Sequence, residues 1–188
     1  MLAEVTVAIV ADESSLIALA QQGDRGAFGD LVCRYRAGVV NVVYRICGDA
    51  SLAEDAAQVA FIRAWQNLPK FQPRAAFRSW LYRIAINAAL DMLRREKPAA
   101  DIDEMPLVSR TEKVEDRVER QERARRVQQA VLSLPEASRA ALVLREYEGL
   151  SYQEIAAALD ISPGTVMSRL NYARQRLVEM LNPLLEEA

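Results

Sequence analysis

Helical periodicity runs through almost the whole of this sequence and limits the chain to an all-α fold. Strand-like alternation of apolar and polar residues is missing, and residues that favour helices dominate. The 7 prolines and 7 glycines fall mostly at places where they would begin or end helices. The pattern predicts helices over about 14–22, 26–47, 51–67, 74–96, 112–133, 136–147, 152–159 and 163–182.

Several of the predicted helices begin with a capping signature. Ser51 and Ser151 each precede a glutamate by three residues, which is the capping-box spacing. Ser162 precedes Pro163, so that an N-cap residue is followed by a proline at the first helical position. The sequence therefore predicts that these three serines cap their helices.

A segment that is rich in acidic residues and poor in large apolar residues separates two helical parts. It begins near Lys97, and residues 97–111 are too polar to bury enough surface to order themselves. The sequence therefore predicts two small helical domains joined by a flexible acidic linker. The expected division is an unassigned extension at 1–13, a first domain at 14–96, the linker at 97–123 and a second domain at 124–185.

Charge is distributed unevenly along the chain, although the total is only -2. Residues 61–100 hold 8 basic and 2 acidic side chains. Residues 1–60 hold 4 basic and 8 acidic side chains, and residues 101–122 hold the same numbers. Because a basic block lies between two acidic ones, the near-neutral total does not exclude a nucleic-acid partner.

The residue types that most enzymes and metal sites require are scarce. The chain has no histidine, and Cys33 and Cys47 form no CxxC pair. No glycine-rich phosphate loop is present, so we expect no enzyme activity, no cofactor and no metal site. The two cysteines are expected to be buried structural thiols. No apolar run approaches the length of about 18 residues that spans a membrane, so a cytoplasmic protein without membrane insertion is expected.

Residues 151–176 predict a helix-turn-helix. A short helix leads to a three-residue turn at 160–162, and a longer helix follows. Apolar residues recur along the longer helix at spacings of three and four, which predicts a buried stripe. That stripe consists of Val166, Leu170, Ala173, Leu177, Leu181 and Leu184.

The outer face of this longer helix is polar and free of acidic residues. Between Pro163 and Arg176 there are three arginines and no acid. Hydroxyls and arginines at the start of such a helix suit phosphates and base edges in a major groove. An alternative interpretation is a surface helix whose arginines are only solvated. The outer face and its flank consist of Thr165, Ser168, Tyr172, Gln175, Arg169 and Arg176.

The basic block carries a second pattern. Trp80, Arg83, Asn87 and Arg94 lie within about 60° of one another on a helix, beside an apolar stripe. An aromatic ring flanked by cations and an amide suits single-stranded nucleic acid, and Phe71 and Arg74 could complete a pocket for an extruded base. The alternative is that Trp80 belongs to the core and the arginines are solvated. The apolar stripe consists of Phe77, Leu81, Ile84, Ala88 and Met92.

Four segments together resemble a known family. AEDAAQVAFIRAW at 53–65, FRSWLYRIAINAALDMLRR at 77–95, LPEASRAALVLREYEGLSYQEIA at 134–156 and GTVMSRLNYARQRL at 164–177 are similar, in order and spacing, to the extracytoplasmic-function (ECF) group of bacterial RNA polymerase sigma factors. The resemblance implies a two-domain initiation factor that binds core RNA polymerase and promoter DNA.

The resemblance also implies roles for particular residues. In the first domain, Phe71 and Asn87 would recognise a flipped base of the minus-ten element, with Trp80, Arg83 and Arg94 nearby. The second domain would read the minus-thirty-five element as duplex through Thr165, Ser168, Arg169 and Arg174. Residues Glu54, Asp55, Gln58, Arg63 and Trp65 would dock on the clamp helices of the largest polymerase subunit. The flap of the second-largest subunit and an anti-sigma factor are further implied partners.

Three residues depart from the family pattern. Val59 stands where the family commonly has an acidic residue, and Met167 and Tyr172 stand where it often has lysine or arginine. Tyr172 could still donate to a phosphate. The competing hypothesis is a transcription regulator with the same helix-turn-helix and an N-terminal sensing domain.

Overall fold

The structure is a computed structural model that describes residues 12–72, 76–96 and 114–186. Within these residues the elements of the fold are helices. They are α1 (Glu13–Gln21), α2 (Arg25–Cys47), α3 (Ala50–Asn67), α4 (Phe77–Glu96), α5 (Val114–Leu132), α6 (Glu136–Glu146), α7 (Tyr152–Leu159) and α8 (Pro163–Glu186), with a 3₁₀ turn at Leu68–Lys70. The predicted all-α fold is confirmed. Arg74 and the predicted linker segment 97–111 lie outside the described residues.

The helix-turn-helix begins with the predicted capping box. The Ser151 hydroxyl accepts from the Glu154 backbone N–H at 3.2 Å, and the Glu154 carboxylate accepts from the Ser151 N–H at 2.8 Å. At the start of α8, the Ser162 hydroxyl accepts from the Thr165 N–H at 3.1 Å. Both predicted caps are therefore confirmed.

The prediction that Ser51 caps α3 is wrong. Gly48 ends α2 with a φ of 79°, and Asp49 follows in an extended conformation. The Asp49 carboxylate then accepts from the Leu52 N–H at 2.7 Å, which starts the helix at Ala50. Ser51 already lies inside the first turn.

We expect Ser151→Ala to lower the free energy of unfolding by about 1 kcal/mol, because an orphan N–H of α7 loses its acceptor. Hydrogen bonds from Ser151 hold the pKa of Glu154 below 4.5. The stability that the ionised Glu154 carboxylate contributes is therefore present above pH 4.5 and is lost as the pH falls through the lowered value. Urea unfolding at pH 7 and pH 3 checks this, with Ser15→Ala, an exposed position in α1, as the control. An equal effect of both substitutions would contradict the cap.

The first half of the chain packs as a bundle of α1 to α4. Helix α3 presents a face of small residues to its neighbours, and small side chains allow helix backbones to approach closely. The buried alanines of this face are Ala53, Ala56, Ala57, Ala60 and Ala64.

The second half is built from α5 to α8. Val166, Leu170 and Ala173 of α8 are fully buried, and Leu177 packs at the edge of the core. The structure thus confirms the predicted stripe from Val166 to Leu177, whereas Leu181 is only half-buried. The side chain of Leu184 lies outside the described residues.

The two halves share one continuous core, which the sequence did not predict. Helix α4 packs on α7, and α2 packs on α5 and α6. Tyr82 of α4 is 2% exposed, and its hydroxyl donates to the carboxylate of Glu148, in the turn after α6. Burial, together with this bond, raises the pKa of Tyr82. Helix α4 is therefore buried on a wider face than its predicted stripe.

The cysteines differ from the prediction. Cys33 is exposed on α2, so the expected burial is wrong for it, and Cys47 is half-buried. Contacts from the second half reach α2 between Gly38 and Gly48, in the part of the helix that contains Cys47 and not Cys33. Among the described residues, no helix combines the length and the hydropathy needed to cross a bilayer.

Candidate nucleic-acid and polymerase interfaces

A cavity of about 340 Å³ opens where the 3₁₀ turn meets α4. Its lining combines aromatic rings, two amides and two cations with one aliphatic side chain. The structure brings together here four of the six residues predicted for the minus-ten site. The lining residues are Asn67, Lys70, Phe71, Trp80, Arg83, Ile84 and Asn87.

The aromatic wall of this cavity is a packed cluster. The ring centroids of Phe71 and Trp80 lie 4.9 Å apart, and Phe77 lies 5.6 Å from Phe71 and 5.4 Å from Trp80. Phe71 is only 8% exposed, whereas Trp80 is half-buried. Trp80 is therefore the ring with more surface available for stacking, and Phe71 mainly supports it.

The turn that carries Phe71 is held by a residue that the sequence analysis missed. The side-chain amide of Gln21, at the end of α1, donates to the carbonyl of Leu68 at 3.1 Å and to that of Phe71 at 2.8 Å. Because these carbonyls lie in and just after the 3₁₀ turn, Gln21 fixes the shape of the cavity rim.

The arginines predicted for the first site differ in their surroundings. The Arg83 guanidinium forms an ion pair at 3.0 Å with Asp160, in the turn after α7. Arg94 pairs with Asp91 at 3.7 Å and does not line the cavity. Lys70 and Asn67 join the site without having been predicted. The Asn67 amide donates to a main-chain carbonyl of α3 at 2.8 Å.

A second cavity, of about 720 Å³, forms a groove between α2 and α3. Glu54, Asp55, Gln58 and Trp65, four of the five predicted polymerase-binding residues, line it. Arg63 does not, because α3 turns it toward α4, where it pairs with Asp91 at 3.5 Å.

The groove has an apolar floor and a charged rim. Phe28 and Trp65 pack at 4.9 Å between ring centroids, and Ile62 is 51% exposed. On the rim, Arg36 pairs with Glu54 at 2.7 Å. An exposed apolar surface with a polar border is typical of a protein-binding site. Ile62 was missed, although its spacing from Gln58 and Trp65 places all three on one face of α3.

The outer face of α8 is open to solvent. Ser168 and Tyr172 are exposed, whereas Thr165 and Arg169 are half-buried. The Arg174 guanidinium donates to Glu146 of α6 at 2.8 Å, and this bond raises its pKa. Arg174 is therefore anchored to its own half of the chain.

Comparisons with known proteins identify the family of this chain. Residues 31–98 match the family model of sigma-70 region 2, and residues 124–177 match that of sigma-70 region 4. The RNA polymerase sigma-H factor of Pseudomonas aeruginosa is 39% identical, over 94% of this chain and 97% of its own length. The chain belongs to the ECF family of RNA polymerase sigma factors. The resemblance predicted from the sequence is thus confirmed, and as a sigma factor the protein directs transcription initiation.

Other relatives place this sigma factor in the same family and fold. The ECF sigma factor SigW of Bacillus subtilis is 36% identical, over 87% of this chain and 94% of its own. CnrH, solved in complex with the cytosolic domain of CnrY, aligns with a TM-score of 0.71 and 29% identity, over 91% of this chain and 97% of CnrH. The sigma factor RpoE of Bartonella quintana shares the fold, with a TM-score of 0.67 over 82% of this chain and 96% of its own, at 21% identity.

Proposed function

We propose that the cavity beside α4 binds one unstacked base of the minus-ten element while α8 reads the minus-thirty-five element as duplex. The observation that carries the proposal is the lining of the cavity, where Trp80, Asn87 and Arg83 meet around one opening. A ring can stack on the base, an amide can pair with its edge, and a cation can neutralise its phosphate.

The exposed face of α8 supports the second part of the proposal. Ser168 and Tyr172 are exposed near its capped N-terminus, and Arg169 lies between them. In helix-turn-helix proteins, side chains in the N-terminal part of the second helix contact base edges in the major groove. Arg174 is the proposed phosphate contact, and it would exchange its bond with Glu146 for one with DNA.

Core RNA polymerase is the proposed partner of the groove between α2 and α3. Its apolar floor and the rim residues Glu54, Asp55 and Gln58 suit the clamp helices of the largest subunit. The second half would contact the flap of the second-largest subunit. Arg63 would act indirectly, because its ion pair with Asp91 ties α3 to α4.

We also infer an anti-sigma factor as a partner. CnrH, which shares 29% identity with this chain, was solved with the cytosolic domain of CnrY. A partner of that kind would compete with polymerase for this sigma factor, which would then act in the cytoplasm as a regulated polymerase subunit and not as an enzyme of its own.

Reconstitution tests the proposal. Purified chain is added to core RNA polymerase with genomic DNA templates, and run-off transcripts are mapped at their 5′ ends. New transcripts whose start sites share two upstream elements are expected. If the chain changes only initiation directed by another sigma factor, it is a helix-turn-helix regulator instead.

We expect Arg169→Ala to weaken discrimination at one minus-thirty-five base pair by about 1–3 kcal/mol, because a bidentate arginine contact to a base edge is lost. Footprinting of the reconstituted holoenzyme on single-base promoter variants measures this. Arg126→Ala, which removes an exposed arginine paired with Glu122 on α5, is the control. If Arg169→Ala instead weakens binding to all promoter variants equally, Arg169 contacts a phosphate and not a base.

A further inference from the structure

We propose that the free sigma factor is closed, with acidic side chains of its second half occupying the minus-ten surface of α4 in place of DNA phosphates. These side chains, called here the acidic edge, are Glu148 before α7, Glu154 in α7 and Asp160 after it. The inference rests on the proposed minus-ten role of α4. It adds that this role is blocked until the two halves separate.

Three contacts join the acidic edge to two turns of α4. Arg78 pairs with Glu154 at 3.6 Å, the Tyr82 hydroxyl donates to Glu148, and Arg83 pairs with Asp160 at 3.0 Å. Arg83 also lines the cavity proposed for the unstacked base. A carboxylate therefore already neutralises the cation that a phosphate of the single strand would need.

The ion pairs are only part of this interface. Exposed pairs such as Arg83 with Asp160 contribute little by themselves. The surrounding packing fixes them, since the two halves share one apolar core. The Arg45 guanidinium lies 3.6 Å from the centre of the Tyr147 ring, and the Gln128 amide donates to the Tyr44 hydroxyl at 2.8 Å.

Two glycines of α2 lie at or beside the contact between the halves. A Cβ atom at Gly38 of α2 would lie 2.7 Å from the Tyr82 hydroxyl and 3.6 Å from the Glu148 carboxylate. A Cβ atom at Gly48 would lie 2.8 Å from the Leu132 side chain of α5. A side chain at Gly48 would have to displace Leu132 of the second half, whereas the short contact at Gly38 is with Tyr82 of its own half, whose hydroxyl donates to Glu148.

Closure affects the two DNA-binding surfaces differently. The outer face of α8 stays open, with Tyr172 45% exposed, whereas α4 lies under α7. The free chain would therefore present its duplex-reading helix and hide part of its strand-binding helix. Binding to polymerase would provide the energy that separates the halves, because each half has its own site there.

A pair of conservative substitutions weakens the acidic edge. Asp160→Asn removes the charge opposite Arg83 and keeps a residue that tolerates the φ of 57° found there. Glu148→Gln removes the charge facing Tyr82 and keeps a hydrogen-bond acceptor. The matched control is Glu122→Gln with Glu179→Gln, which removes two carboxylates that pair with Arg126 and Arg176 away from α4.

The probe is a pool of fluorescein-labelled single-stranded DNA, 12 nucleotides long and random in sequence, titrated with the full chain. We expect the edge variant to bind with a Kd about threefold lower than wild type, because release of an arginine from an exposed carboxylate has a small effect. Its log–log salt slope should steepen by about 0.7 for each further phosphate that the variant neutralises. Asp160→Asn alone, which leaves Tyr82 untouched, should shift the Kd in the same direction.

The outcomes separate this inference from the function on which it rests. If the edge variant and wild type bind the DNA equally while the wild-type holoenzyme starts run-off transcripts, closure is wrong and the proposed function stands. Equal tightening by the control variant would also overturn closure, because it would show an effect of net charge alone. If the wild-type holoenzyme starts no transcript, the proposed function fails and the inference falls with it.

Discussion

Ile62→Glu is expected to lower the affinity of this sigma factor for core RNA polymerase by about thirtyfold or more, without unfolding the chain. Ile62 is 51% exposed, so the fold does not depend on its burial. It lies in the groove beside Gln58 and Trp65, where a docked helix would cover it. A carboxylate covered in that way loses its hydration without gaining a partner, and this strongly disfavours binding.

The matched control for this prediction is Val178→Glu. Val178 is 57% exposed on α8, so the same change of charge occurs at an aliphatic residue of similar exposure outside the groove. Competition between labelled wild type and each variant for a limiting amount of core enzyme gives the relative affinities. Equal losses by both variants, or no loss by Ile62→Glu, would remove the groove as the polymerase-binding surface.

Asn87→Ala is expected to slow promoter opening about tenfold and to relax selectivity at one minus-ten position. The Asn87 side chain is exposed at the cavity, next to Trp80 and Arg83. Loss of a hydrogen-bonding amide against one base edge removes about 1–3 kcal/mol of discrimination. The affinity for core polymerase should not change, because Asn87 lies outside the groove between α2 and α3.

Asn41→Ala provides the control for Asn87→Ala, since Asn41 is an exposed asparagine on α2 that lines neither cavity. Permanganate reactivity of unpaired thymines gives the rate of opening on a duplex promoter. The affinity of the holoenzyme for single-base variants of a premelted bubble gives the base preference. The relaxed selectivity of Asn87→Ala should persist on the premelted template, where opening is no longer limiting. A parallel loss of polymerase affinity would instead mean that Asn87 has a structural role.

The elements that the sequence predicted well are those that depend on nearby residues. The caps at Ser151 and Ser162 and the buried stripe of α8 follow from spacings of three and four residues within one helix. Ser51 failed as a cap because Asp49, two residues earlier, satisfies the same kind of orphan N–H first. Two acceptors in one short turn cannot be ranked from spacing alone.

The minus-ten cavity could be predicted only in part. Trp80, Arg83 and Asn87 share a helix face, so their proximity follows from helical geometry. Asn67 and Lys70 come from the turn before α4, whose path depends on hydrogen bonds from the distant Gln21. Such a contact, 47 residues away along the chain, leaves no local pattern.

The contact between the halves could not be predicted at all. Tyr82 lies 66 residues from Glu148, and the polar acceptor that allows its hydroxyl to be buried belongs to another helix pair. The sequence shows an aromatic residue beside a basic stripe, which does not reveal that α7 covers it. For the same reason, the sequence does not show that Arg78 and Arg83 each meet a carboxylate of the second half.

The most direct test of the central claim, that α4 reads a single strand and α8 reads duplex, is to footprint one promoter with holoenzymes carrying Asn87→Ala or Arg169→Ala. DNase protection and permanganate reactivity are measured on the same template. Asn87→Ala should reduce thymine reactivity at the minus-ten element and leave upstream protection intact. Arg169→Ala should weaken protection at the minus-thirty-five element. It should leave unchanged the base preference at the minus-ten element on a premelted template. If both substitutions disturb the same promoter element, the claim that α4 reads a single strand and α8 reads duplex is wrong.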